Sequence, residues 1–125
     1  RPFPFRSELL RQTGVFMITL QKIADASEFT LCTTIQEPDK EISKLYCCDL
    51  LSIAMGKAPA DACWVTVMAN LNTLAVASLA DVACVVLAEG GAFDAAALAK
   101  ANDENIPVFT TSLPIFDAAT IIAGL

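Results

Sequence analysis

The sequence predicts an α/β fold: a single domain on a small, mostly parallel sheet with helices packed on its faces. Two observations lead to it. Three short apolar runs recur in the second half, Cys63–Met68, Ala83–Ala88 and Pro107–Thr111. Each has the length of a strand, and the middle one is unbroken enough to be covered on both faces. Between them lie segments with helical spacing and capping residues, giving the order β-α-β-α-β-α from residue 63. Right-handed crossovers then place those strands side by side in parallel.

The elements follow in order. Thr19 caps a short helix through Ala26, with Leu20, Ile23 and Ala24 as its apolar stripe. Phe29–Thr33 alternates as a strand does, and Glu37-Pro38-Asp39-Lys40 is turn chemistry because proline fixes φ and aspartate offers a local backbone bond. A second strand over Ile42–Cys47 leads into a helix over Asp49–Met55. The Asp49 carboxylate suits the positive end of that helix, and Gly56 is its natural stop.

After the loop Lys57–Asp61, the strand Cys63–Met68 is followed by Asn70, which caps a helix over Leu71–Ala80. Leu71, Leu74, Ala75 and Leu79 fall on one side of it, with Val76, Ala77 and Ala80 beside them. An apolar surface that runs nearly all round predicts burial. Ala83–Ala88 is the central strand. Asp94 caps a helix over Ala95–Glu104, Asn105 takes the left-handed terminal conformation and Pro107 prevents continuation. Val108–Thr110 is the last strand. Ser112 with Pro114 opens a final helix carrying Ile115, Phe116, Ala119 and Ile122. Residues 1–16 are proline-punctuated and without period. They are expected to be a non-native or disordered extension, with Met17 as the biological start and 17–125 as the domain.

Composition bounds the partners. A chain of 125 residues that is 55% hydrophobic and only 18% charged covers both faces of its sheet and keeps an apolar face for a partner subunit. A homo-oligomer, most simply a dimer, is expected. A net charge of −6 argues against nucleic acid and anionic membranes, since no basic patch is available to neutralise phosphates. The longest apolar stretch, Leu74–Ala88, is broken by Asp81 and shorter than the ~20 residues of a spanning helix. No start resembles a signal peptide. The five cysteines, Cys32, Cys47, Cys48, Cys63 and Cys84, form no regular framework, which points to reduced thiols and the cytoplasm. Neither histidine nor a second cysteine pair completes a metal set with Cys47-Cys48, so no metal and no cofactor is expected.

Open α/β sheets bind ligands at the carboxyl ends of their strands, and four candidate places lie there. Asn70 and Asn72 can read a polar or anionic ligand, or cap the helix. Glu89-Gly90-Gly91 can bring backbone close to a ligand, or simply turn. Thr110-Thr111-Ser112 can hold an anion, or cap. Asp49 can bind a ligand hydroxyl, or favour the helix dipole. None of these supplies a nucleophile with a base in reach, and no phosphate-loop pattern is present. The sequence therefore predicts no enzyme.

The segment Asp39–Met55 resembles the opening signature of DRTGG domains, small α/β modules similar to the N-terminal domain of HPr serine kinase/phosphatase. The resemblance continues through Ala62–Val67, Asn70–Val86 and Ile106–Thr111, covering roughly residues 17–125. Asp39 stands at the family's Asp, Lys40 replaces its Arg, Ser43 falls at its Thr, and Lys44-Leu45 occupy the place of its two glycines. Losing both glycines removes backbone that could approach a ligand without Cβ interference. Tyr46, Asp49, Leu50, Leu51 and Met55 keep the flanking pattern. The resemblance implies a non-catalytic accessory or regulatory module, acting by homo-oligomer or protein contacts. Domains of this kind occur beside CBS domains in regulated pyrophosphatases, ahead of phosphotransacetylase domains, and alone in anaerobe gene clusters. The implied partners are a second copy or a protein from the same gene cluster. A nucleotide or metabolite sensor is the alternative reading, and an enzyme a remote third.

Overall fold

The computed structural model describes residues 18–125. The expectation for residues 1–16 and Met17 lies outside the described residues. A short helix, α1 (Leu20–Asp25), begins at Thr19, whose side chain accepts from the Lys22 amide as the sequence predicts. Four strands then step in one direction across the sheet: β2 (Leu45–Cys47), β3 (Cys63–Thr66), β4 (Cys84–Leu87) and β5 (Val108–Thr110), all parallel. The two-residue β1 (Thr30–Leu31) pairs antiparallel with β5, so the order is β1-β5-β4-β3-β2.

The connections are helical: α2 (Leu51–Lys57) after β2, α3 (Leu71–Ala80) after β3, α4 (Ala95–Asp103) after β4, and α5 (Ile115–Ala123) after β5. Strands that always step to the same neighbour, joined by crossovers of one hand, put every crossover helix on the same face. Alternation along β3 and β4 sorts the core accordingly. Trp64, Val85 and Leu87 face α2, α3 and α4 through Ala54, Leu74, Ala77 and Ala101. Cys63, Val65, Cys84 and Val86 face the other way, onto Leu20 and Ile23 of α1 and Ala118 and Ile122 of α5. Trp64 is fully buried and its Nε1 donates to the Cys48 carbonyl at 2.9 Å, which fixes the loop between β2 and α2.

Helix ends match the local chemistry. Asn70 Oδ1 accepts from the amides of Asn72 and Thr73, and Asp94 Oδ1 accepts from Ala97. Asn105 is left-handed at φ 58°, and Asp81 closes α3 in the same conformation at φ 58°. There the Val82 amide reaches back to the Ala77 carbonyl at 3.2 Å, a six-to-one closure.

Several expectations are corrected. The strand expected over 29–33 is cut to two residues because the Val108 amide donates to the Thr33 hydroxyl instead of a backbone carbonyl. The strand expected from Ile42 begins at Leu45, since Ile42 bonds to Ile18 and Ser43 to Asp61 and Ala60. Gly56 lies inside α2, which runs to Lys57 with Ala58 as its C-cap. Helix α3 is not buried all round: Leu74, Val76 and Ala77 are buried, whereas Leu71 and Leu79 are 57% and 74% exposed. Helix α5 has Pro114 at its N-cap and no side-chain cap, and its Phe116 is 78% exposed rather than part of the core stripe.

The contrast along α5 gives a stability test. Ile122→Ala, which empties a fully buried site, is expected to cost about 2–5 kcal/mol in denaturant unfolding. Phe116→Ala should stay within about 0.5 kcal/mol of the native chain. Equal losses would contradict the packing described for this helix.

Candidate functional site

The carboxyl ends of the parallel strands carry all nine candidate residues, but the topology spreads them out. Ligand crevices in open sheets form where the strand order reverses. From β2 to β5 the order never reverses, so the strand ends are closed by bonds among neighbouring loops.

At the end of β3 the closure is made by Asp49. Its Oδ1 accepts from the buried Thr66 hydroxyl and from the Val67 amide, both at 2.9 Å. The residue at the α2 N-cap is Leu50, with no side-chain bond to the helix. Asp49 therefore ties β2 to β3 instead of capping α2. Next along, Asn70 is taken up by its capping bonds, and Thr73 Oγ1 donates to the Met68 carbonyl at 2.6 Å. Asn72 is exposed and lines a shallow groove of about 560 Å³ between α3 and α4, with Leu71, Ala75 and Leu79.

The remaining candidates converge. Gly90, Gly91, Thr110, Thr111 and Ser112 line one recess of about 300 Å³, together with Glu28, Thr30 and Ala92. It sits where β1 departs from the uniform strand order: Thr30 is registered with Thr110, so the start of β1 lies beside the end of β5. Glu89 and Gly90 both have positive φ, 59° and 75°. A Cβ on Gly91 would stand 3.3 Å from the Ala88 carbonyl and 3.5 Å from that of Val67, so a side chain there would press on the backbone of the turn.

The turn's amides are already in use. Glu89 donates to Leu113, Gly90 to Thr111 and Gly91 to Ala88, at 2.9, 2.9 and 3.0 Å. They stitch the end of β4 to the segment after β5 and leave no amide cradle for an anion at that turn. Among the hydroxyls, Thr111 Oγ1 accepts from the Leu113 amide and Thr110 Oγ1 lies 3.6 Å from Cys32 Sγ, while Ser112 is exposed. Glu28 and Thr30 were not foreseen. Their membership follows from the antiparallel pairing of β1 with β5, which the alternation over Phe29–Thr33 does not specify.

Chemistry at these places is limited by the thiols and carboxylates present. The Cys63 thiol is pushed well up by its hydrogen bond to Cys84 and by full burial, and Cys47 is pushed up by partial burial, which keeps both protonated at neutral pH. Among the described residues no group of three or more His, Cys, Asp or Glu is arranged to hold a metal ion. No helix among them is long and apolar enough to cross a membrane. All five cysteines are free.

The Asp49 clasp is testable. Asp49→Ala should lower unfolding free energy by about 1–2 kcal/mol, because the buried Thr66 hydroxyl and the Val67 amide lose their acceptor. Asp49→Asn, which retains an Oδ1 acceptor, should recover most of the loss in the same denaturation assay.

No family model matches the chain, and no curated protein matches it in sequence. A solved structure matches it in fold: the CBS and DRTGG domains of the regulatory region of a Clostridium perfringens pyrophosphatase, complexed with activator, diadenosine tetraphosphate. The superposition has a TM-score of 0.69 at 16% identity and covers 98% of this chain and 52% of that one. This chain therefore spans about half the length of its structural neighbour. The likeness is one of fold, and it identifies the architecture as a DRTGG-like α/β fold.

Proposed function

We propose that the chain is a non-catalytic, cytoplasmic accessory or regulatory domain that acts through homo-oligomer or protein contacts. The observation that carries this reading is the apolar surface on one helical layer. Leu50, Ile53 and Met55, at α2, and Leu71 and Leu79, on α3, are exposed together on the layer those two adjoining helices form. Exposed apolar side chains grouped in this way mark association sites. The fold shared with a regulatory region of a pyrophosphatase supports a regulatory role.

A second reading is favoured by one specific observation, the convergence of five candidate residues on the recess beside β1. There the domain would sense a small ligand. The lining offers hydroxyls and one carboxylate, Glu28, but no cationic side chain. It suits a neutral or cationic polar metabolite better than a polyphosphate, whose charges would go unpaired.

Sedimentation of the native chain over a roughly hundredfold dilution series should show a concentration-dependent oligomer. A clean monomer, together with no partner in a native pull-down, would sink the association reading. For the sensor reading, a thermal-shift panel of nucleotides, sugars and amines is decisive. A true ligand at a hundred times its dissociation constant adds about 2.7 kcal/mol, and a flat panel would count against the recess.

A further inference from the structure

Helix α3 carries an exposed ridge that is symmetric about its own midpoint. Leu71, Ala75 and Leu79 recur every four residues along one outer line, with the small residue at the centre. Asn72 and Ser78 are placed equally far on either side of Ala75. The helix contains no charged side chain, in a chain with 22 formal charges among its Lys, Arg, Asp and Glu residues (8 basic and 14 acidic).

We infer that this ridge is a two-fold interface, on which α3 of a second copy of the chain packs antiparallel with Ala75 at the axis. The inference rests on the association reading above and names the surface and the occupant. In that arrangement Leu71 approaches the partner's Leu79 across the axis, and Ala75 meets the partner's Ala75. A two-fold interface requires such self-complementarity, since each residue pair must occur twice with roles exchanged. The central alanine admits the close approach of about 8 Å between axes that small residues at a helix crossing allow.

Charge complementarity points the same way. Antiparallel α3 helices bring the exposed Asp81 carboxylate at the end of one helix to the positive, amino-terminal end of the other. Beside the ridge, Lys100 and Glu104 neutralise each other at 2.9 Å, so that pair carries no net charge into a symmetric contact. The exposed Leu50, Ile53 and Met55 of the adjoining α2 extend the apolar surface beside the ridge.

Charge introduced at the axis tests the geometry. Ala75 is exposed and helical, so Ala75→Glu and Ala75→Lys should leave the thermal midpoint and circular dichroism of the fold near those of the native chain. Sedimentation equilibrium should show the native chain as a dimer and each variant, alone, with a dissociation constant raised by about 100-fold or more, because two like charges then face one another. An equal mixture of the two variants should dimerise again. A native chain that stays monomeric overturns the proposal and the homo-oligomer reading together. A variant that remains dimeric overturns this surface while leaving association itself intact. Monomeric variants whose mixture does not recover overturn the two-fold geometry, since residue 75 then does not meet its own copy.

Discussion

The constraint on which this structure depends is the uniform stepping of four parallel strands. With β2, β3, β4 and β5 laid down in chain order, connections of one hand have no choice but to stack α2, α3 and α4 on one face. The opposite face is then left to what the chain supplies outside those crossovers, α1 from before the sheet and α5 from after it. The same constraint removes the crevice that a reversal of strand order would open. Each strand end must be sealed by local bonds, and three different devices do so: the Asp49 carboxylate, the Asn70 cap and the Glu89–Gly91 amides.

What the sequence made legible was whatever depends on a few consecutive residues. Thr19, Asn70 and Asp94 each cap the helix that follows because their side chains reach amides two or three positions on. The apolar runs of β3 and β4 read as central strands because every position in them is buried. Features decided by distant partners were not legible. The Thr33 hydroxyl ends β1 by capturing an amide 75 positions away, and Asp49 looks like a helix-dipole residue until Thr66 and Val67 are seen beside it. Of the candidate site, the hydroxyl cluster and the glycine turn were visible in composition, but their meeting required the antiparallel edge formed by Thr30. Helical periodicity misled at Leu79 and Phe116. A wheel says which residues share a side, and only the neighbouring elements say whether that side is covered.

Electrostatics separates the two functional readings. The structural neighbour holds a tetraphosphate-bridged dinucleotide, a ligand whose binding ordinarily calls for paired cations or free amides. Here the recess beside β1 has Glu28 on its rim and no lysine in its lining, while the amides of the adjoining glycine turn are bonded to Leu113, Thr111 and Ala88. Elsewhere Lys40 is engaged with Asp61 at 3.0 Å and Lys100 with Glu104. A recess lined in this way would leave a polyphosphate's charges unpaired.

The composition of α3 is the main support for the association reading. As the middle helix of its layer it needs apolar residues only where it touches the sheet and its neighbours, and Leu74, Val76 and Ala77 meet that need. Nothing in the interior calls for leucine at 71 and 79. For a solitary domain, lysine or glutamate at those positions would hold the helix equally well and lower the exposed apolar area. Two exposed leucines spaced evenly about an alanine, on a helix without charge in an otherwise acidic chain, are what the proposed second copy would cover, and their spacing is the reason for proposing it.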